Sequence, residues 1–304
     1  MNDLSSLGAE LQRYIMGQVL IDEPLSRHTT FRIGGPADLL VLPISRADLE
    51  ACLEFSRQKG VPLHIMGKGS NLLVRERGVR GLVIKTTKLS RIRVEDLSIR
   101  AEAGASLARV LSVAQKAGLS GLEFATGIPA TLGGATVMNA GTPDGFLGEV
   151  ILKVEVLDKE GRFLFLESSE LGFGYRESRL KGSGLVIVTV ELALKPGDPK
   201  EIARLIAERL ALRRRKQPLA WPNAGCIFKN PPGYAAGWLI EQAGAKGWRQ
   251  GDAEVSTTHA NFIINRGKAT ASDVLALVER IREAVFRRFG IYLELEIETW
   301  GEGP

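Results

Sequence analysis

The sequence predicts an α/β or α+β protein of at least two domains. Apolar runs of strand length alternate with stretches of helical spacing in both halves of the chain. A linker rich in Pro and Gly, Lys195-Pro196-Gly197-Asp198-Pro199, separates the halves, and 304 residues are more than one core of ordinary size takes up.

Each element has a local cause. Residues 46–59 predict a helix: Ser45 is placed to cap it, Leu49, Cys52 and Leu53 share one face, and Gly60 ends it. Cys52 is therefore expected in the core. Residues 107–117 repeat the device, with Ser106 as cap, a stripe of Leu107, Val110, Leu111 and Ala114, and Gly118 as the stop. Strands are expected at 37–42, 62–66, 81–85, 97–102, 150–158, 162–166 and 185–194. Beyond the linker, Asp198 as N-cap, Pro199 at the first helical position and Glu201 as a capping-box partner predict a helix over 199–215. Arg213 to Lys216 lie at its C-terminus, where cations suit the dipole, and read as a solvated helix end rather than a diphosphate clamp. Short strands near 225–229 and 260–265, a helix over 273–289 and a strand over 291–299 complete the chain. In that last strand Glu294, Glu296 and Glu298 alternate with apolar residues, the pattern of a half-buried strand with a solvated acidic face.

Composition removes several classes. Hydrophobic residues at 44% and charged residues at 25% fit an ordinary globular protein. A net charge of +5 does not demand nucleic acid, and a basic cleft for an anionic small molecule accounts for it equally well. Two cysteines allow no disulfide framework, and His28, His64 and His259 have no metal-ligand spacing, so no metal site is expected. The amphipathic N-terminus carries Asp3 and Glu10 and is no secretory leader, which points to the cytoplasm. The uncharged run from Phe124 to Pro143 is long enough to cross a bilayer. Its Gly127, Pro129, Gly133, Gly134, Gly141 and Pro143 make it buried loop and turn instead, so no membrane association is expected.

Glycine stands out, at 34 of 304 residues, about 11% against a background of roughly 7%. One cluster, Met66 to Val74, lets Gly67, Gly69 and Ser70 present successive amides to an anion, although a tight turn would use the same residues. Leu72 stands where a dinucleotide-binding fingerprint requires a third glycine, and no Gly-Lys-Ser/Thr phosphate loop is present. A second cluster runs from Ala125 to Gly141. Its small residues suit a backbone pressed against a flat or phosphorylated ligand, or an irregular buried loop.

Several blocks then recur in a fixed order. They are Thr29-Thr30-Phe31-Arg32-Ile33-Gly34-Gly35, Gly67-Lys68-Gly69-Ser70-Asn71-Leu72-Leu73, and Gly118 to Phe124 running into Gly127-Ile128-Pro129 and Met138-Asn139-Ala140-Gly141. Tyr175-Arg176-Glu177-Ser178, Ala224-Gly225-Cys226-Ile227-Phe228-Lys229-Asn230-Pro231, Ser256 to Phe262 and Leu293 to Ile297 follow. The ordered set covers nearly the whole chain and resembles the UDP-N-acetylenolpyruvoylglucosamine reductase family, in its shorter form. The resemblance implies an α+β fold, with a two-part FAD-binding domain of the vanillyl-alcohol-oxidase/PCMH type over 1–196 and a smaller α+β substrate-binding domain over 197–304. The first domain would divide into subdomains at about 20–87 and 88–196.

The resemblance also implies FAD as cofactor, NADPH as reductant and a small-molecule UDP-sugar as substrate. It places FAD against Gly67, Lys68, Gly69, Ser70, Asn71, Leu72, Gly127, Ile128, Pro129, Gly133, Gly134, Ala135, Asn139 and Gly141. Catalysis would fall to Arg176, Cys226 and Glu296. Substrate contacts would come from Tyr175, Lys229, Asn230, Ser256, His259 and Asn261, with His259 equally suited to a structural hydrogen bond. Two departures matter: Cys226 stands where the family usually has serine as proton donor, and Ala130 stands where it has glycine, which requires a negative φ. An FAD-linked oxidase of the same fold and a non-catalytic nucleotide-sugar or flavin-binding protein are the alternatives.

Overall fold

A computed structural model describes residues 4–303, so Asp3 lies outside the described residues. The chain forms two compact units. One comprises the chain up to Ile21, Leu39–Lys68 and Gly81–Leu212, and the other comprises Asp22–Asp38, Gly69–Arg80 and the chain from Arg213 onward. The division thus falls after Leu212, within a continuous helix, rather than at the 195–199 linker. The reason is packing: Ile202 is buried, and Ile206 packs against the core of the first unit.

In the first unit, α1 (Leu4–Gln12) buries Leu11. Its Leu4, Leu7 and Leu11 recur at helical spacing, in keeping with the amphipathic N-terminus. The next, α2 (Arg46–Lys59), is bounded as its caps predict: Ser45 Oγ accepts the Asp48 amide at 3.1 Å, and Gly60 ends it at φ +62°. Cys52 is fully buried, and burial, followed by the charge of Asp48, pushes its thiol up to about 12. Asp48 is itself buried. Burial alone would raise its pKa, but amides of Ile44, Met16 and Gly17 donate to it and hold it below the ordinary carboxylate value.

A four-stranded sheet runs in the order Gln18–Pro24, Pro36–Leu42, Val79–Lys85, Leu63–Met66, with the last two parallel. A five-stranded sheet has the order Phe163–Glu167, Ile151–Leu157, Val186–Ala193, Ser98–Glu102, Ile92–Glu95, and all its pairings are antiparallel. Helix α3 (Leu107–Lys116) buries its predicted stripe of Leu107, Val110, Leu111 and Ala114 in the same core.

The run over 124–143 is not wholly loop and turn, because it contains a six-residue helix, α4 (Leu132–Val137). Two glycines argue against helix there. Tertiary context overrides them: Thr131 Oγ1 accepts the Gly134 amide at 3.3 Å, and Gly133 sits so close to Ala103 that an added Cβ would come within 2.8 Å of its Cβ. In α5 (Pro199–Lys216), Asp198 caps as predicted, its carboxylate accepting the Lys200 amide at 3.0 Å. Glu201 forms no capping box with it; its carboxylate turns to Arg204 instead.

The second unit gathers chain from distant positions. Phe31, Ile33 and Leu73 join Ile227, Phe228, Leu239, Ile240, Val274 and Val278 in one buried cluster. Leu72–Val74 pairs in parallel with Glu298–Trp300, opposite Glu298, Thr299 and Trp300 in turn. Arg249–Gln250, Ala253–Val255 and Ile263–Asn265 form an antiparallel sheet. Two helices, α6 (Ala236–Gln242) and α7 (Ala271–Phe289), lie in this unit, and a Thr270–Asp273 capping box starts α7 two residues before the expected position.

The strands expected at 225–229 and 291–299 shrink to a single bridge, Phe228 to Leu295, and the short strand Glu298–Trp300. Phe228 has another partner: its amide donates to Asn261 Oδ1 at 2.9 Å, and its carbonyl accepts from Asn261 Nδ2 at 2.8 Å. Among the described residues no helix is long and apolar enough to cross a membrane.

Candidate active site

In the first unit Gly67, from one glycine cluster, meets Thr131, from the other. A Cβ on Gly67 would lie 2.1 Å from Thr131 Oγ1, the hydroxyl that caps α4, so only glycine lets the two loops approach this closely. Gly69 and Gly127 have φ of +64° and +74°, while Ala130 is not among the residues of positive φ, as its side chain requires. Among the described residues, the amides of Lys68, Gly69 and Ser70 donate to no group of the chain. A row of free amides in a glycine turn beside an exposed lysine fits a pyrophosphate, so this segment is suited to hold the diphosphate of FAD.

Not every predicted contact is equally available. The Gly133 amide donates to Ala103 O at 2.8 Å, and Leu72 is buried within its strand, whereas Gly134 is exposed. Asn139 is buried, with both ends of its amide bonded to backbone: Nδ2 donates to Gly174 O at 2.9 Å, and Oδ1 accepts from Gly148 N at 2.8 Å.

Arg176 occupies the turn Gly174–Glu177, closed by Gly174 N to Glu177 O at 3.0 Å and Glu177 N to Gly174 O at 3.3 Å. Its φ is +57°, in a region that a side chain of its size rarely enters. Its guanidinium is half-buried, 3.5 Å from Gly141 O and 5.8 Å from the centre of the exposed Tyr175 ring.

In the second unit the segments bearing Cys226 and Glu296 run side by side. Glu296 N donates to Ile227 O at 2.8 Å, and Lys229 N donates to Glu294 O at 2.9 Å. The acidic face of this last segment is not uniformly solvated: Glu294 is exposed, but Glu296 and Glu298 are half-buried. Asn71 clasps the same segment, its Nδ2 donating to Glu296 O at 3.0 Å and its backbone carbonyl accepting from Glu298 N at 2.8 Å.

Three predicted substrate contacts are occupied internally. Asn261 is fully taken up by Phe228. The buried Ser256 Oγ accepts amides of Thr258 at 3.1 Å and His259 at 3.4 Å. His259 Nδ1 accepts the Asn261 amide at 3.2 Å while the ring meets Phe262 edge-on. Burial, then the charge of Lys246, keeps this imidazole below its ordinary 6.5, so it is neutral at pH 7. Lys229 and Asn230 remain nearer the surface, with Lys229 Nζ 3.5 Å from Glu294 and Asn230 Oδ1 accepting the first amide of α6, Ala236 N, at 2.9 Å.

Sequence reasoning missed a groove in this unit. It has a volume of about 460 Å³ and is lined by Arg214, Arg215, Trp221, Ser256, Glu254 and Arg266. Arg266 lies 4.0 Å over the Trp221 ring, and Glu254 pairs with Arg249 at 2.5 Å. Arg214 and Arg215, in the basic cluster that ends α5, border the groove and stay exposed, as a solvated helix end does. The available signal was Trp221, a large ring five residues after that cluster.

Residues 37–167 match the FAD binding domain family, and residues 217–300 match the C-terminal domain family of UDP-N-acetylenolpyruvoylglucosamine reductase. A UDP-N-acetylenolpyruvoylglucosamine reductase of Moorella thermoacetica is 60% identical over 301 residues, 99% of each chain. The chain belongs to the UDP-N-acetylenolpyruvoylglucosamine reductase family. A relative of the same name from Heliobacterium modesticaldum is 47% identical over 295 residues, 96% of this chain and 94% of its own. The crystal structure of UDP-N-acetylenolpyruvylglucosamine reductase from Thermus caldophilus matches with a TM-score of 0.81 at 40% identity, covering 95% of this chain and 100% of that one.

Family membership makes the chain an FAD-dependent oxidoreductase of α+β fold, an FAD-binding domain followed by the reductase C-terminal domain. The match over 217–300 favours the reductase over an oxidase that shares only the N-terminal fold.

Proposed function

We propose that the chain reduces the enolpyruvyl ether of UDP-N-acetylglucosamine to UDP-N-acetylmuramate, with NADPH as electron source, as a cytoplasmic step of peptidoglycan precursor synthesis. FAD, when bound, would supply the hydride that NADPH provides and the terminal vinyl carbon receives. That addition leaves negative charge on the adjacent carbon and its carboxylate. The Arg176 guanidinium, a planar fork of donors, stabilises the carboxylate as its charge grows. The Cys226 thiol gives its proton to the adjacent carbon, and a thiol is a stronger acid than the alkyl hydroxyl usual at this position. Glu296, on the neighbouring segment, holds the geometry of the donor and the developing enolate. Lys229, Asn230 and the arginines of the Trp221 groove provide charge and a flat ring for a nucleoside diphosphate.

The observation that carries this reading is the pairing of the Cys226 segment with the Glu296 segment, in a chain that matches the family from end to end. The test is anaerobic and visible. The purified protein is expected to be yellow, to bleach with NADPH, and to recolour on addition of the enolpyruvyl UDP-sugar. Bleaching without substrate-driven recovery overturns the assignment of substrate, and a protein that binds no flavin overturns the whole reading.

A further inference from the structure

Arg176 is held in a conformation that its own backbone disfavours, since left-handed φ costs a non-glycine residue free energy that the surroundings must supply. One short stretch, residues 137–141, holds the turn at three points. Val137 O accepts the Ser178 hydroxyl at 2.7 Å, Asn139 Nδ2 donates to Gly174 O at 2.9 Å, and Gly141 O lies 3.5 Å from the Arg176 guanidinium. Asn139 is the middle strap. It is 6% exposed, has φ of +42°, and anchors its other end on Gly148 N at 2.8 Å.

Only a narrow choice of residue serves there. Positive φ favours Gly, Asn and Asp. The two bonds require a donor and an acceptor on one short side chain, which Asp and Gly do not offer at neutral pH.

We propose that Asn139 is a positioning residue that presents Arg176 to the substrate carboxylate, and that its side chain is not a flavin contact. The inference rests on the role given to Arg176 above. It follows that the loop expected to cradle the cofactor also sets the geometry of the residue that receives charge in the second half-reaction.

Rapid mixing separates the two half-reactions of the flavin-loaded enzyme, and flavin fluorescence measures FAD affinity independently of activity. Asn139→Gly keeps the backbone conformation and removes both bonds, whereas Asn139→Asp keeps the shape and the Gly148 bond but loses the donor to Gly174. Both are expected to slow reoxidation by the enolpyruvyl UDP-sugar by about 10- to 100-fold, the scale of a small misplacement of a catalytic group. Flavin reduction by NADPH and the Kd for FAD are expected to stay within about twofold, because the role given to Arg176 belongs to the second half-reaction. In the Arg176→Ala background, Asn139→Gly is expected to add no further loss.

The proposal is overturned if FAD affinity falls while reoxidation per bound flavin is unchanged, if the two losses add, or if Asn139→Asp reoxidises like the parent while Arg176→Ala does not. If Arg176→Ala itself reoxidises normally, the role of Arg176 fails first and the positioning role fails with it. Should Asn139→Gly not fold, the isosteric Asn139→Asp decides the matter alone.

Discussion

Asn261→Ala removes a side chain that is 2% exposed and whose two polar ends are bonded to one residue, Phe228. The backbone bond from Ile227 N to Asn261 O, at 2.8 Å, survives the substitution. What is lost is a partner for the Phe228 amide and another for its carbonyl, in a residue only 1% exposed. An orphaned buried polar group costs about 1–3 kcal/mol, so the pair predicts a loss of ~2–6 kcal/mol of stability. Because Phe228 lies two residues from Cys226, the segment that carries the thiol loosens with it. Urea unfolding followed by tryptophan fluorescence reads the first effect, and turnover at a temperature where both proteins are folded reads the second. A loss below about 0.5 kcal/mol, the range of an ordinary surface substitution, would refute the reasoning and leave Asn261 free for the ligand role expected of it.

Three further outcomes are expected. Cys226→Ser should keep or raise turnover, and Cys226→Ala should lower the rate of substrate-driven reoxidation about 10²- to 10⁴-fold, the usual worth of a general acid; full activity in the alanine variant removes Cys226 as donor. Asn71→Ala releases the carbonyl of Glu296, so it should slow the same half-reaction about 10-fold with flavin reduction by NADPH unchanged; equal loss in both halves would mark Asn71 as a flavin contact only. His259 is held neutral, with its folded pKa below the unfolded 6.5. The unfolded chain therefore takes up its proton first as pH falls, and the contribution of His259 to stability, complete above 6.5, is lost below it. Melting temperatures of the parent and of His259→Gln should converge between pH 7 and pH 5, and a pH-independent difference would show that the imidazole does not titrate in this way.

How much of this was legible depended on whether the signal was local. Helix α2 was read to the residue because Ser45, Gly60 and the stripe between them act within the helix itself. The glycine clusters were legible as closely approaching loops, because Gly67 leaves no room for a Cβ beside Thr131. Helix α4 was not legible, since its seat against Ala103 comes from a strand far earlier in the chain. The asparagines are ambiguous for a related reason. Asn71, Asn139 and Asn261 sit in blocks that resemble a binding family, and sequence cannot tell an amide aimed at a ligand from one that clasps the backbone beside it. In the described structure all three make backbone clasps, on Glu296, Gly174 and Phe228. The acidic strand misled in the opposite direction, because alternation alone made Glu296 a solvated residue, yet it is half-buried.

The interrupted path of the chain has a consequence for how the protein is made. The core of the second unit draws on Phe31, Ile33 and Leu73, and its parallel strand pair joins Leu72–Val74 to Glu298–Trp300 near the end of the chain. As the protein leaves the ribosome, those early residues have to wait until nearly all of the remainder has been synthesised before their partners exist. Contacts of such long sequence separation form slowly and leave apolar surface open in the interval. Neither unit can be cut from the gene as one continuous piece, and a fragment beginning at Arg213 would lack three of its core side chains. Whatever tolerance to truncation this chain possesses therefore ends before Glu298, at a strand whose partner was translated more than two hundred residues earlier.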